Sequence, residues 1–215
     1  MTAPDTTASD PAVGGPPEAE RTISDVETLK ALSDPLRLKI LETMVTRATD
    51  AWSAKELAAA IGVPQTRLYH HLDLLLERDL IRAAGQRVVS GIIETRYRVA
   101  ALSMRLDPRL LAGEGDARDT ATAVLSTVLD SARAELTAAL RDAASVPGGT
   151  EASDRPLVRR GMAMFTPARA AELRARLDAL IAEYDADPPD PTAESFGLLL
   201  ALYRVPRTPG DPADG

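Results

Sequence analysis

The sequence predicts a mainly α-helical fold that carries one β-hairpin, followed by a long amphipathic helix and a small C-terminal α/β unit. Between residues 22 and 80, apolar side chains recur at helical spacing behind marked helix starts. Residues 93–99, IETRYRV, alternate apolar and polar side chains, which is typical of a strand. In residues 116–145 apolar side chains recur every three or four positions, as in one long amphipathic helix.

The composition excludes several classes of site. Hydrophobic residues make up 45% of the 215 positions and charged residues 27%, as in an ordinary globular protein. The chain has no cysteine, which excludes disulfides and thiolate metal ligands and fits a reducing cytoplasm. No apolar run approaches the about 18 residues of a membrane helix, and the first ten residues lack the basic and apolar blocks of a signal peptide. We therefore expect a cytoplasmic protein without a membrane partner.

The charge is unevenly distributed along the chain. The formal net charge is −7, which taken alone disfavours a nucleic-acid partner. Between Val63 and Arg105, however, seven arginines stand against four acidic residues, so a locally basic segment lies inside an acidic chain. Residues 1–20 and 206–215 are rich in small residues and proline without an apolar period, and both are predicted to be disordered tails.

Four pairs of residues mark helix boundaries inside the first block, residues 22–104. In chain order they are the capping-box pair Ser24 and Glu27, the cap Asp34 with Pro35, the capping-box pair Ser53 and Glu56, and the helix end Gly62 with the helix start Pro64. Trp52 is placed to pack on Leu57 as a hydrophobic staple. Two short helices joined by a tight turn form a helix-turn-helix pattern. A strand at 80–84, a turn near Ser90 and the strand at 93–99 add a hairpin, which makes a winged arrangement.

The second helix of this motif carries both histidines of the chain, His70 and His71. At about 100° per residue, its buried face is formed by three leucines, namely Leu68, Leu72 and Leu75. His70 points away from that face, whereas His71 lies beside it. Adjacent helical residues do not face each other and helical zinc pairs use i, i+4 spacing, so the pair is a poor metal site. We expect a packed, hydrogen-bonded His71 and no metal ion or other cofactor.

Three segments in fixed order resemble the ArsR-like winged helix-turn-helix regulators: ALSDPLRLKILETM, SAKELAAAIGVPQTRLYHHLDLLLERDLI and RYRVA. The resemblance covers residues 25–104. It implies a homodimeric bacterial transcription factor, usually a repressor, that binds double-stranded DNA at a palindromic operator. It also implies that the helix from Pro64 to Arg78 enters the major groove, where the early residues of a recognition helix contact base edges.

The predicted DNA contacts fall into three groups. On the recognition helix they are Thr66, Arg67, Tyr69 and His70, whose side chains suit bases or phosphates, and the family resemblance adds Gln65 by its matching position. On the hairpin they are Arg87, Arg96 and Arg98, and on the first helix of the motif Lys55, all suited to phosphate. The alternative for each group is an ordinary solvated face.

The sequence departs from the family pattern in three ways. The helix AKELAAAIG has no metal-sensing cysteine, and the hairpin tip RVVSGII is apolar instead of basic. Asp73 also places a negative charge near the presumed DNA face. These departures weigh against metal sensing and against strong phosphate contact at the hairpin tip.

The C-terminal half exceeds what DNA binding needs. The helix over 116–145 is our candidate for dimerisation, with an intrachain core helix as the alternative. Within 156–205, LVRRGMAMF and SFGLLLALYRV are predicted strands on either side of a helix that begins at Thr166 and Pro167. We expect this unit either to bind a small-molecule effector or to rigidify the dimer. The effector pocket would be lined by Met162, Met164, Phe165 and Tyr203.

Two other functions stay open beside a DNA-binding regulator. An enzyme with a histidine general base is disfavoured, because the chain has no cysteine nucleophile, no GxxxxGK phosphate loop and no GxGxxG after a strand. A protein-interaction module that has lost DNA binding is favoured by the acidity of the chain and by Asp73. The sequence therefore predicts a regulator and no enzyme.

Overall fold

The computed structural model describes residues 15–48, 50–89, 91–111, 114–145, 156–159, 161–185 and 196–205. The chain divides into two compact units, Met1–Ala138 and Ala139–Gly215. In chain order the elements are β1 (Glu18–Ile23), α1 (Val26–Leu32), α2 (Pro35–Val45), β2 (Trp52–Ser53), α3 (Ala54–Ile61), α4 (Gln65–Glu77), β3 (Ile81–Val89), β4 (Ile92–Val99), β5 (Ala101–Leu106), α5 (Pro108–Leu111), α6 (Asp116–Ser145) and α7 (Pro167–Asp185).

The first two helices begin at aspartate caps. Asp34 accepts hydrogen bonds from two backbone N–H groups at the start of α2, at 2.9 and 3.0 Å, and so caps this helix as predicted. The cap of α1 is Asp25, and the prediction of a capping box from Ser24 was wrong by one residue. Asp25 has an extended backbone and its carboxylate accepts from the Thr28 N–H at 2.7 Å, which also holds the pKa of Asp25 below its usual range.

The predicted helix-turn-helix is formed by α3 and α4. Ser53 and Glu56 make the reciprocal capping box of α3, and Gly62 ends that helix with φ +79°. This left-handed conformation is accessible to glycine without the Cβ clash that other residues meet, so the chain turns tightly here. Pro64 is the N-cap residue of α4, and Arg78 is its C-cap. The recognition helix therefore occupies the predicted segment to within one residue at each end.

The hairpin follows α4 as predicted and joins a third strand. β3 and β4 pair antiparallel with Arg87 opposite Glu94 and Val88 opposite Ile93, and Trp52 of β2 pairs with Tyr97 on the other edge of β4. The strand order is β2-β4-β3. This sheet ties the hairpin to the start of α3, which is the winged arrangement expected from the sequence.

A second, parallel pair of strands was not expected. β1 pairs with β5 over residues 18–23 and 101–106, so the predicted disordered tail ends earlier than residue 20. Only Ile23 of β1 is buried, which explains why the segment lacks an apolar alternation. Backbone pairing with β5 holds the strand, and exposed ion pairs join Arg82 to Glu18 and Arg105 to Glu20 beside it. Residues 1–14 and 206–215 lie outside the described residues.

One hydrophobic core supports the first unit. Its fully buried side chains come from α1 to α4 and from the sheet, and include Ile40, Leu41, Leu57, Leu68, Leu72, Leu75 and Ile81. Trp52, predicted to pack on Leu57, belongs to the same cluster. Burying a leucine of this kind stabilises the fold by about 1.5–3 kcal/mol, so the inner face of α4 is fixed by the same core as the other helices.

The long helix α6 covers the predicted range and packs on the first unit through one face. Ala121 and Val124 are buried there, and Thr127 donates a hydrogen bond to the Ser33 carbonyl at 3.1 Å. The Ser131 hydroxyl also donates to the Glu42 carboxylate at 2.7 Å. A different face of the helix carries exposed leucines, among them Leu125 and Leu129.

The second unit contains α7, with Thr166 as its predicted start. The Thr166 hydroxyl accepts from the Arg169 N–H at 3.2 Å, and Pro167 opens the first turn. The two predicted strands do not form in the described residues 156–159, 161–166 and 196–205, which have no regular secondary structure. A strand needs a neighbour for its backbone hydrogen bonds, and a run of apolar residues alone does not supply one. Among the described residues of 156–205, α7 is therefore the only regular element.

Candidate nucleic-acid interface

The recognition helix α4 has a buried face and an exposed face, as its angles predict. Leu68, Leu72 and Leu75 are completely buried and fix the helix on the core. Most candidate contacts lie on the exposed side, namely Thr66, Arg67, Tyr69 and His70. Gln65 is partly buried and donates from Nε2 to the Tyr69 hydroxyl at 2.7 Å. The first two turns thus present hydrogen-bonding side chains of both polarities, which is the chemistry that major-groove base edges require.

His71 is separated from His70, although the two are adjacent in sequence. Their ring centroids are 5.9 Å apart and the rings are inclined by 63°. His71 is packed against the start of α2, with Nδ1 3.7 Å from Asp34 Oδ1 and without a hydrogen-bond partner at that nitrogen among the described residues. Burial is the main cause that lowers the pKa of His71, with Arg37 adding to it and Asp34 opposing it. The predicted packing of His71 is confirmed, whereas its predicted hydrogen bond is not formed at Nδ1.

Asp73 lies on the exposed face of α4, one turn beyond Tyr69 and His70. The Tyr97 side chain of the neighbouring strand is buried, and burial raises its pKa, with the negative charge of Asp73 adding to the rise. Asp73 is therefore close enough to influence the centre of the sheet as well as the exposed face. Its carboxylate is the acidic group nearest the candidate base contacts on this helix.

The tip of the hairpin is apolar and charge-neutral. Val88 and Ile93 face each other across the strands and are 70% and 65% exposed. Behind them Arg87 pairs with Glu94 at 3.3 Å, and the Arg87 side chain is 57% exposed. Arg87 is thus available to a phosphate, but it must first leave a neighbouring carboxylate.

The other candidate cations differ in their exposure and in the contacts that they already make within the protein. Lys55 is exposed in the first turn of α3. Arg96 is partly buried, donates to the Ala51 carbonyl and pairs with Glu56 at 3.3 Å. It lines a polar cavity of about 290 Å³ together with Arg47, Asp50, Ala51 and Glu56. Arg98 is partly buried on β4, opposite Arg82. Lys55 and Arg87 are accordingly better placed for DNA than Arg96.

The four residues proposed for an effector pocket are exposed. Met162, Met164 and Tyr203 face solvent, and Phe165 borders a cavity of only about 100 Å³ with Arg169, Glu172, Leu173 and Arg176. A drug-sized ligand needs about 300–1,000 Å³, so this cavity is too small for one. The effector pocket stays a prediction.

The described residues offer neither a metal site nor a membrane-spanning helix. Across the described ranges, no three carboxylate or imidazole side chains come together in a way that could hold a metal ion. None of the described helices is long and apolar enough to cross a membrane.

Two sets of contacts near this interface are not indicated by any local pattern in the sequence. Arg21 of β1 pairs with Asp79 at 2.8 Å, directly after α4, and this contact holds the pKa of Asp79 below its usual range. The Arg37 guanidinium donates to the carbonyls of Lys30 and Ala31 and closes the end of α1. Asp79 has a positive φ of 54°, a conformation in which aspartate is enriched.

Comparison with known proteins agrees with this geometry. Residues 32–83 match a family model described as a helix-turn-helix domain, and the matched range contains α2, α3, α4 and the start of β3. A comparison with curated proteins gave no match. The family model belongs to a DNA-binding regulatory domain. The range that it matches includes α4, whose exposed face carries the candidate contacts. The structure and this match together support a DNA-binding regulator that carries a helix-turn-helix domain.

Proposed function

We propose that this protein is a homodimeric, sequence-specific transcription regulator of the ArsR-like type, which represses by binding a palindromic operator. The observation that carries the proposal is the division of α4 into a buried leucine face and an exposed polar face. Thr66, Arg67 and His70 stand on the exposed face within the first two turns. Side chains in these turns of a recognition helix contact base edges when the helix lies in the major groove.

The hairpin and α3 would supply backbone contacts on either side of α4. Lys55 and Arg87 are the exposed cations available for phosphate. Each phosphate that a cation neutralises releases counterions, so binding weakens as salt rises. The overall negative charge of the protein makes this local cationic contribution necessary for affinity.

The dimer in this proposal forms through the second face of α6. Leu125, Leu129, Ala132 and Leu136 lie within about 60° of one another on the helix, and about 80° from the face that packs on the first unit. Leu125 and Leu129 are 49% and 47% exposed. A leucine and alanine stripe beside a polar face is typical of helices that pair closely. Two-fold pairing of α6 would place two recognition helices on two half-sites.

A second candidate function is a protein-interaction module that does not bind DNA. The apolar pair Val88 and Ile93 at the hairpin tip favours it, because both side chains are exposed and Arg87 behind them is paired with Glu94. Both candidates share the same fold, and they differ in whether duplex DNA is a ligand.

Selection of binding sites from a random duplex library tests the proposal. The wild-type protein is expected to enrich a sequence with two-fold symmetry, and its affinity is expected to fall steeply with salt. Failure to enrich any sequence at low salt would favour the interaction module instead.

A further inference from the structure

The three acidic residues in and directly after α4 are not equivalent. Glu77 pairs with Arg78 at 3.3 Å, and Asp79 pairs with Arg21 at 2.8 Å. Asp73 is exposed and forms no ion pair or hydrogen bond with another side chain in the described part of the chain. The negative charge on the candidate DNA face is thus left unneutralised at Asp73 alone among these three residues.

An unneutralised carboxylate on this face has a physical cost in a DNA complex. It repels the phosphates that flank the major groove, and burying it without a hydrogen-bond donor costs several kcal/mol. The cost is offset where the carboxylate accepts a hydrogen bond from a base. Cytosine N4 is the amino group from which Asp and Glu characteristically accept in the major groove, whereas adenine presents its N6 amino group beside the N7 acceptor, which repels a carboxylate.

The position of Asp73 fits contact with a base edge. It is three residues beyond His70 and seven beyond Thr66, so all three side chains lie within about 60° on the helix. Asp73 therefore follows the same stripe as the candidate base contacts, one turn further along α4.

On this basis, and resting on the proposed function, we infer that Asp73 is a specificity-determining residue that selects a cytosine. Its carboxylate accepts a hydrogen bond from the cytosine amino group, and it rejects a base that presents only acceptors, such as thymine, at the same place. Specificity arises as much from this repulsion as from the hydrogen bond itself.

The test compares the wild type with Asp73→Asn and, as a matched control on the same helix face, Glu77→Gln. Each protein is used to select sites from the same random duplex library. We expect one C·G pair in each half-site that is enriched by the wild type and by Glu77→Gln, and that is not enriched by Asp73→Asn. Circular dichroism checks that the three proteins are equally folded, and Asp73→Ser provides a second substitution of the exposed carboxylate.

A double-mutant cycle then measures the contact. Changing the selected C·G pair to T·A is expected to weaken wild-type binding by about 5- to 150-fold, and to change binding by Asp73→Asn or Asp73→Ser less than about 2-fold. An unchanged cytosine preference in both Asp73 variants, or an equal loss of preference in Glu77→Gln, would overturn the inference. A wild-type protein that selects no sequence would instead overturn the proposed function itself.

Discussion

His71 on the recognition helix faces Asp34 at the first turn of α2, with 3.7 Å between Nδ1 and Oδ1. The carboxylate of Asp34 already caps α2. The adjacent Ser33 carbonyl accepts from Thr127 of α6 at 3.1 Å. The junction between α1 and α2 therefore contacts both the helix proposed to bind DNA and the helix proposed to pair two copies.

The first prediction concerns the pH dependence of stability. Burial lowers the pKa of His71 below its ordinary value of 6.5, so the unfolded chain takes up the proton more readily than the folded one. The stability that depends on neutral His71 is fully present above pH 6.5 and is lost as the pH falls through the lowered folded-state pKa. Urea unfolding at a series of pH values between 7.5 and 5 should show this loss.

His71→Gln should remove that part of the pH dependence. His70→Gln, which changes the exposed neighbour, should retain it. The free energy of unfolding of each variant is compared with the wild type at every pH. A His71→Gln protein with the wild-type slope would show that another group is responsible.

The second prediction concerns the buried face of α4. Leu72 is completely buried, so Leu72→Ala leaves a cavity and should lower the free energy of unfolding by about 2–5 kcal/mol. Thr66→Ala on the exposed face of the same helix should change it by less than about 0.5 kcal/mol. Denaturant titration measures both, and similar values for the two variants would mean that the faces are assigned incorrectly.

The third prediction concerns the hairpin arginines. Arg87→Ala should reduce the slope of log affinity against log salt by about 1, because one phosphate contact is lost, and should leave the melting temperature nearly unchanged. Arg96→Ala should lower the melting temperature, since this side chain holds the Ala51 carbonyl and Glu56. Anisotropy at several salt concentrations and thermal unfolding separate the two effects. An unaltered salt slope for Arg87→Ala would remove it from the interface.

The fourth prediction concerns the second face of α6. Leu129→Glu should convert the proposed dimer to a monomer in sedimentation experiments, because a carboxylate would be buried in the paired interface. The control Ser126→Glu places the same charge on the polar face and should stay dimeric. The monomeric variant should lose at least about 10-fold in affinity for a two-fold symmetric site. A Leu129→Glu protein that is still dimeric would exclude this stripe as the interface.

The elements that the sequence predicts best are those set by local chemistry. The capping box at Ser53, the turn at Gly62 and the leucines of α4 act within a few residues, so their spacing shows them directly. The exposed and buried faces of the candidate site follow from that spacing. The partner of His71 does not, because Asp34 is 37 positions earlier and only the packing of α2 against α4 brings the two together.

The strands are the elements that the sequence predicts least well. The sequence predicts a tail where β1 lies, because a single buried residue, Ile23, gives no alternation. The pairing of β1 with β5 depends on contacts between residues about 80 positions apart. The segments around Met164 and Leu200 are rich in apolar residues, yet neither pairs in the described residues. An apolar run shows which side chains can be buried, and a strand also needs an edge on which to form its hydrogen bonds.

The central claim is that the exposed face of α4 reads DNA, and one binding measurement tests it most directly. Fluorescence anisotropy on the selected duplex should show Arg67→Ala and His70→Ala each weakening binding by about 1–3 kcal/mol. Arg109→Ala, on the exposed surface of α5, should bind like the wild type. Tight, salt-sensitive binding that neither Arg67→Ala nor His70→Ala alters would contradict the account.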